Sequence, residues 1–138
     1  MRNTARMFFI LIIEDNPGDE HLIKKAFHEC DQPPSVHVVR NGEDALDFLY
    51  QNNQYTDAPR PELVILDLNL PKRDGWDLLA DIKNDPELKT IPVIVFSTST
   101  NHKDINRAYS LHANCYINKP IDIDHYFTVI RSIESFWK

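Results

Sequence analysis

The apolar residues of this chain fall into short runs separated by amphipathic stretches. The runs are Phe8–Ile13, Ser35–Val39, Leu63–Leu66, Ile91–Phe96 and Cys115–Ile117, and most are rich in β-branched residues. Their apolarity is nearly continuous rather than alternating, which predicts strands covered on both faces. Between the runs, Leu22, Ile23, Ala26, Phe27 and Cys30 recur at helical spacing. So do Ala45, Phe48 and Leu49, and then Leu78, Leu79 and Ile82. Ile105, Ala108, Tyr109 and His112 make a weaker fourth face, and Ile123, Phe127, Ile130, Ile133 and Trp137 a fifth. Asp19 and Asp44 stand near helix starts, where the helix dipole favours negative charge. A strand–helix unit therefore repeats five times, the pattern of a parallel sheet with helices on both faces. The expected fold is α/β and flavodoxin-like, (βα)5, with strand order 2-1-3-4-5 and right-handed crossovers. The longest polar break, Gln51–Pro61, reads as a surface loop before the third strand.

Length and composition narrow the picture without changing it. The 138 residues make one domain, with a core from about 8 to 133 and no tract long enough to link a second. A 42 % hydrophobic content excludes a disordered chain. Fifteen basic against 21 acidic residues give a net charge of −6, which argues against nucleic acid as a partner. Cys30 and Cys115 are too few for a disulfide scaffold or a four-thiolate zinc site, and read as free packed thiols. Arg2 and Arg6 precede the first apolar run, but that run stops at Glu14-Asp15 and no small-residue cleavage site follows. No run approaches the ~18 residues of a membrane span. The expected location is the cytoplasm, away from any membrane.

In an open α/β sheet, ligands bind beyond the carboxyl ends of the strands. Glu14 and Asp15 follow the first strand, Asp67 the third, Ser97-Thr98-Ser99-Thr100 the fourth and Lys119-Pro120 the fifth. Three carboxylates at one edge raise one another's pKa unless a cation intervenes. Oxygen ligands favour Mg²⁺ or Ca²⁺ over zinc, and Mg²⁺ suits one or two carboxylates plus a phosphate. Lys119 supplies a point charge for a phosphate oxygen, and Ser97 a hydroxyl donor. An Asp beside Mg²⁺, a Lys and a hydroxyl is equipped to form an aspartyl phosphate. Taken singly, each of these residues has an ordinary reading as a turn, cap or surface residue. Their coincidence at one sheet edge carries the functional one.

These residues resemble the receiver domain of two-component response regulators over nearly the whole chain. The likeness rests on Ile12-Ile13-Glu14-Asp15-Asn16, Leu66-Asp67-Leu68-Asn69-Leu70-Pro71 with Lys72-Arg73-Asp74-Gly75, the run ending at Ser97, and Tyr116-Ile117-Asn118-Lys119-Pro120. More narrowly, the chain is similar to the small cyanobacterial phytochrome response regulators. Glu14 to Asp19, Asp44 to Leu49, Leu111 to Ile117 and the ending Phe136-Trp137 carry that likeness. The resemblance implies a domain with no output module that takes a phosphoryl group on Asp67 from a histidine kinase, of phytochrome type. It implies Mg²⁺ held by Glu14, Asp15, Asp67 and the backbone carbonyl of Asn69. It makes Lys119 the phosphate's partner, Ser97 and Tyr116 the switch pair, and the Lys119–Pro120 bond cis. The only chemistry implied is the domain's own phosphotransfer and dephosphorylation, so it is not an enzyme in the usual sense. Thr98 and Asn69 occupy positions that tune phosphoryl lifetime in the family, and Met1–Met7 precede the first strand.

Other readings stay open at this stage. They are a docking-only receiver, a phosphorelay intermediate, an aspartate-nucleophile phosphohydrolase and a flavin-binding flavodoxin. In the hydrolase reading, Asn69 replaces the second Asp that serves as general acid. In the flavodoxin reading, acidic Glu14, Asp15 and Asp19 oppose a phosphate. His21 and His28 could share a helix face, but no third ligand lies at a suitable spacing. The last helix carries Tyr126, Phe127, Ile130, Ile133, Phe136 and Trp137, more apolar surface than one buried stripe needs. Either its core face is wide, or an exposed strip pairs two subunits. The resemblance favours a homodimer through the fourth helix, fifth strand and fifth helix.

Overall fold

The computed structural model describes residues 8–71 and 74–137. Met1–Met7, Lys72 and Arg73, all quoted above, lie outside the described residues. Five strands, β1 (Phe9–Ile13), β2 (Ser35–Val39), β3 (Leu63–Leu66), β4 (Val93–Ser97) and β5 (Cys115–Asn118), form one sheet in the order β2-β1-β3-β4-β5. Every pairing is parallel. The helices are α1 (Pro17–His28), α2 (Gly42–Leu49), α3 (Gly75–Asn84), α4 (His102–Ser110) and α5 (Ile123–Trp137). A 3₁₀ turn at Asn53–Tyr55 interrupts the long polar loop.

Successive side chains on a strand point to opposite faces, so each central strand feeds two cores. Leu11, Ile13, Val64, Leu66, Val93 and Val95 pack with α2, α3 and the start of β4's approach. Ile10, Ile12, Leu63, Ile65, Ile94 and Phe96 pack with α1 and α5. Burial on both faces explains why β1, β3 and β4 read as unbroken apolar runs. β4 begins two residues later than expected, because Pro92 has no N–H for the ladder. Its carbonyl instead accepts from Val64 N–H at 2.9 Å. β4 also runs one residue further and includes Ser97, which pairs with Asn118.

The helix starts are set by caps. Asn16 Oδ1 accepts from Asp19 N–H at 3.0 Å, and Asn41 Oδ1 from Asp44 N–H at 2.8 Å. Asp19 and Asp44 thus sit at the third helical position, one turn in from their caps. Pro17 takes the first position of α1, where its missing N–H costs nothing. Two helical faces differ from expectation. α4 ends at Ser110 and buries Ala108 alone, while His112 lies past the helix at φ 71°. α5 buries Tyr126, Ile130, Ile133 and Glu134, whereas Ile123 is 57 % exposed. The predicted α5 face was displaced at its start because Tyr126, not Ile123, turns inward to meet the sheet edge.

Candidate functional site

The sheet's own hydrogen bonds carry its register into the loops at its carboxyl edge. Glu14 N–H donates to Val39 O at 3.0 Å, Asp67 N–H to Ile13 O at 3.0 Å, and Lys119 N–H to Ser97 O at 2.8 Å. Each site residue is therefore anchored by a backbone bond to the end of a neighbouring strand. Gly75 brings the α3 N-terminus against this edge. A Cβ there would stand 2.5 Å from Leu68 Cα, one residue past Asp67.

Lys119 is the centre of the site. Its ammonium donates to Glu14 Oε1 at 2.8 Å, Asp19 Oδ2 at 3.0 Å and Asp67 Oδ2 at 3.2 Å. Its side chain is 6 % exposed, so these are shielded contacts rather than surface ion pairs. Asn69 N–H donates to Asp67 Oδ1 at 3.1 Å, which fixes that carboxylate's second oxygen. Asp15 is exposed, while Glu14 and Asp67 are buried. One carboxylate oxygen from each of Glu14, Asp15 and Asp67 lies within 4.8 Å of the others.

The electrostatics point the same way. Burial, and then the Asp67 carboxylate beside it, push Glu14 up to about 8, against the pull of Lys119. Burial alone would lower Lys119, but its bond to Glu14 and the Glu14 and Asp67 charges hold it above the usual lysine range. A carboxylate raised that far is short of positive charge at neutral pH. The donor set is oxygen only and partly open to solvent at Asp15, which fits a hard divalent cation and not zinc.

Ser97 and Tyr116, expected from the resemblance to form a switch pair, are tied together through Ser99 and lie outside the carboxylate cluster. Ser97 is buried, and its Oγ accepts from Ser99 N–H at 3.1 Å within its own loop. Tyr116 is half-buried, and its hydroxyl donates to Ser99 O at 2.8 Å. Asn118 Nδ2 donates to Ser97 O at 3.3 Å and Ser99 O at 3.0 Å. The loop after β4 is thus held from β5 by two side chains. The Lys119–Pro120 bond is trans, which corrects the cis bond implied by the family resemblance. Trans is the lower-energy form of X–Pro, and here Lys119 reaches all three carboxylates with it.

Asp19 and Tyr126 belong to the site although neither was singled out for it from the sequence. Tyr126 OH donates to Asp19 Oδ1 at 3.0 Å. Burial, and then the Asp19 charge, hold the phenol well above its usual range. A tyrosine on the inner face of α5 needs a partner for its hydroxyl, and that requirement was the available clue.

A parallel sheet of order 2-1-3-4-5 with acid, acid and lysine at its carboxyl edge is the arrangement of a receiver domain. The chain belongs to that family: the response regulator receiver domain matches residues 10–131. It is 42 % identical to the response regulator Rcp1 of Synechocystis over 128 residues, 93 % of this chain and 87 % of Rcp1. Among solved structures it is similar to the phosphorylated cyanobacterial phytochrome response regulator RcpA. There the TM-score is 0.92 at 46 % identity, covering 96 % of this chain and 94 % of RcpA. The Mn²⁺-bound form of Rcp1 superposes with a TM-score of 0.89 at 42 % identity, over 94 % of each chain.

Proposed function

We propose that this chain accepts a phosphoryl group on Asp67 from a phosphohistidine of a partner kinase, in two-component signalling. The observation that carries this reading is the buried Lys119 ammonium lying between Asp67 and the Glu14 carboxylate. An Asp67 oxygen attacks phosphorus and the P–N bond to the kinase imidazole breaks; the ring, protonated by water at its other nitrogen, keeps the electron pair and leaves as neutral imidazole. The product is 4-aspartylphosphate. Lys119 pairs with the phosphoryl oxygens, and the Ser97 hydroxyl turns from Ser99 to donate to one of them. Glu14, Asp15, Asp67 and the Asn69 carbonyl would hold Mg²⁺, which supplies charge neutralisation for the transferring group.

Phosphorylation replaces the single charge of the Asp67 carboxylate by a group carrying about −2, a net gain of about one negative charge, and brings three acceptor oxygens. A turn of Ser97 toward them pulls on the loop that Tyr116 and Asn118 hold, and so carries the signal to the face of α4, β5 and α5. The phytochrome response regulators among its relatives support a phytochrome-type kinase as the donor. A homodimer through α4, β5 and α5 is the matching assembly. Tyr109, Ile123 and Phe136 are exposed there, and Ile117, Val129, Phe136 and Trp137 line an apolar groove of about 610 Å³. The place of action is the cytoplasm, where such kinases present their phosphohistidine. Among the described residues no helix is long and apolar enough to cross a membrane.

The test is incubation with acetyl phosphate, with and without Mg²⁺, followed on a mobility-shift gel. Labelling that needs Mg²⁺ and disappears in Asp67→Asn is expected. Equal labelling of Asp67→Asn would overturn the assignment.

A further inference from the structure

An ammonium has three N–H donors, and those of Lys119 are all in use. They go to Glu14, Asp19 and Asp67. A phosphoryl group on Asp67 brings three new acceptor oxygens, and it has to take donors from this set. Glu14 and Asp67 both belong to the carboxylate group that can hold a cation, and Asp19 does not. Asp19 is thus the partner of the ammonium that stands outside that carboxylate group.

Asp19 is also braced. Its Oδ2 accepts from Lys119 while its Oδ1 accepts from Tyr126. Tyr126 is 3 % exposed and its ring meets Phe96 edge-on at 5.4 Å. Swinging Asp19 into solvent would strand a buried phenol hydroxyl, which costs more than an ordinary surface rotation. The Asp19 backbone is fixed as well, by the Asn16 cap. Neither residue touches the reacting atoms, so any effect they have runs through Lys119.

We infer that Asp19, braced by Tyr126, is a positioning residue that holds the Lys119 ammonium in competition with the phosphoryl group and so limits occupancy of the phosphorylated state. The inference rests on Asp67 being the acceptor. Replacing the Asp19 carboxylate by a neutral amide weakens its bond to the ammonium, and the Lys119 donor so loosened favours the phosphorylated form.

Beryllium trifluoride, a phosphoryl mimic, reads this as an equilibrium. The full chain is titrated with it at saturating Mg²⁺, and binding is followed by two-dimensional NMR. Asp19→Asn is expected to bind about five-fold more tightly than the wild type, the worth of one competing hydrogen bond. Tyr126→Phe, which keeps the ring against Phe96, is expected to tighten binding less, and it serves as the test if Asp19→Asn does not fold. General structural damage weakens binding, so a gain separates positioning from structure. Unchanged or weaker binding in these variants, with the wild type binding, overturns the inference. If the wild type itself fails to bind, the reading of Asp67 falls instead.

Discussion

Glu14 is where folding and function meet at the scale of one residue. Its folded value of about 8 stands above its ordinary 4.5. Between these values the folded chain keeps a proton that the unfolded chain has released. This contribution to stability is complete below 4.5 and is lost as pH rises through about 8. His37 is shifted down from 6.5 by burial and by Lys24 and Arg40, so below 6.5 it acts in the opposite direction. From pH 6.5 to 8 the Glu14 effect stands clear. Without divalent cations, denaturation free energy should fall across that window, with a slope of at most about 1.4 kcal/mol per pH unit. Because a proton and a cation compete for Glu14, added Mg²⁺ should raise the melting temperature more at pH 8 than at pH 6.5. A pH-independent Mg²⁺ effect would remove Glu14 from the cation site. That Glu14, Asp15, Asp67 and Lys119 gather at one edge was legible in the sequence because each stands just past a recognisable strand. Asp19 and Tyr126 were not, because their contact joins residues 107 positions apart and depends on how α1 and α5 lie together.

Among the elements, the turn from β3 into α3 is the most constrained. Gly75 is present for close approach and not for a special backbone angle, since no glycine of the described residues has positive φ. An added Cβ meets the Leu68 backbone, which cannot swing away as a side chain can. Gly75→Ala should therefore lower stability by about 1–3 kcal/mol, measured by urea denaturation. A neutral outcome would mean that the α3 start can shift freely. α4 is held differently, with the Arg107 guanidinium 4.4 Å above the Trp76 ring of α3 and little of its own surface buried. Strands β2 and β3 match their apolar runs residue for residue. The helical faces were less legible. A face assigned from spacing shifts when a polar-tipped residue such as Tyr126 goes inward and an apolar one such as Ile123 is left outside.

For the molecule as a whole, continuous apolarity identified a doubly covered parallel sheet, and that topology alone brought the site residues to one edge. The division of α5 into inner and outer faces was only half legible. The sequence reading held a wide core face against an exposed strip, and α5 contains both: Tyr126, Ile130 and Ile133 inward, Ile123 and Phe136 outward. If α4, β5 and α5 form the dimer face, Phe136→Glu should convert dimer to monomer in analytical ultracentrifugation while leaving phosphoryl labelling intact. A variant that stays dimeric would place the interface elsewhere.

Phosphoryl transfer onto Asp67, with Lys119 as the counter-charge, leaves a chemical mark that can be read directly. The most direct measurement is to locate the label on the wild-type chain after Mg²⁺-dependent reaction with acetyl phosphate, by borohydride reduction and peptide mass spectrometry. Homoserine is expected at position 67 and nowhere else. Label on another carboxylate, such as Asp15 or Asp19, would contradict it.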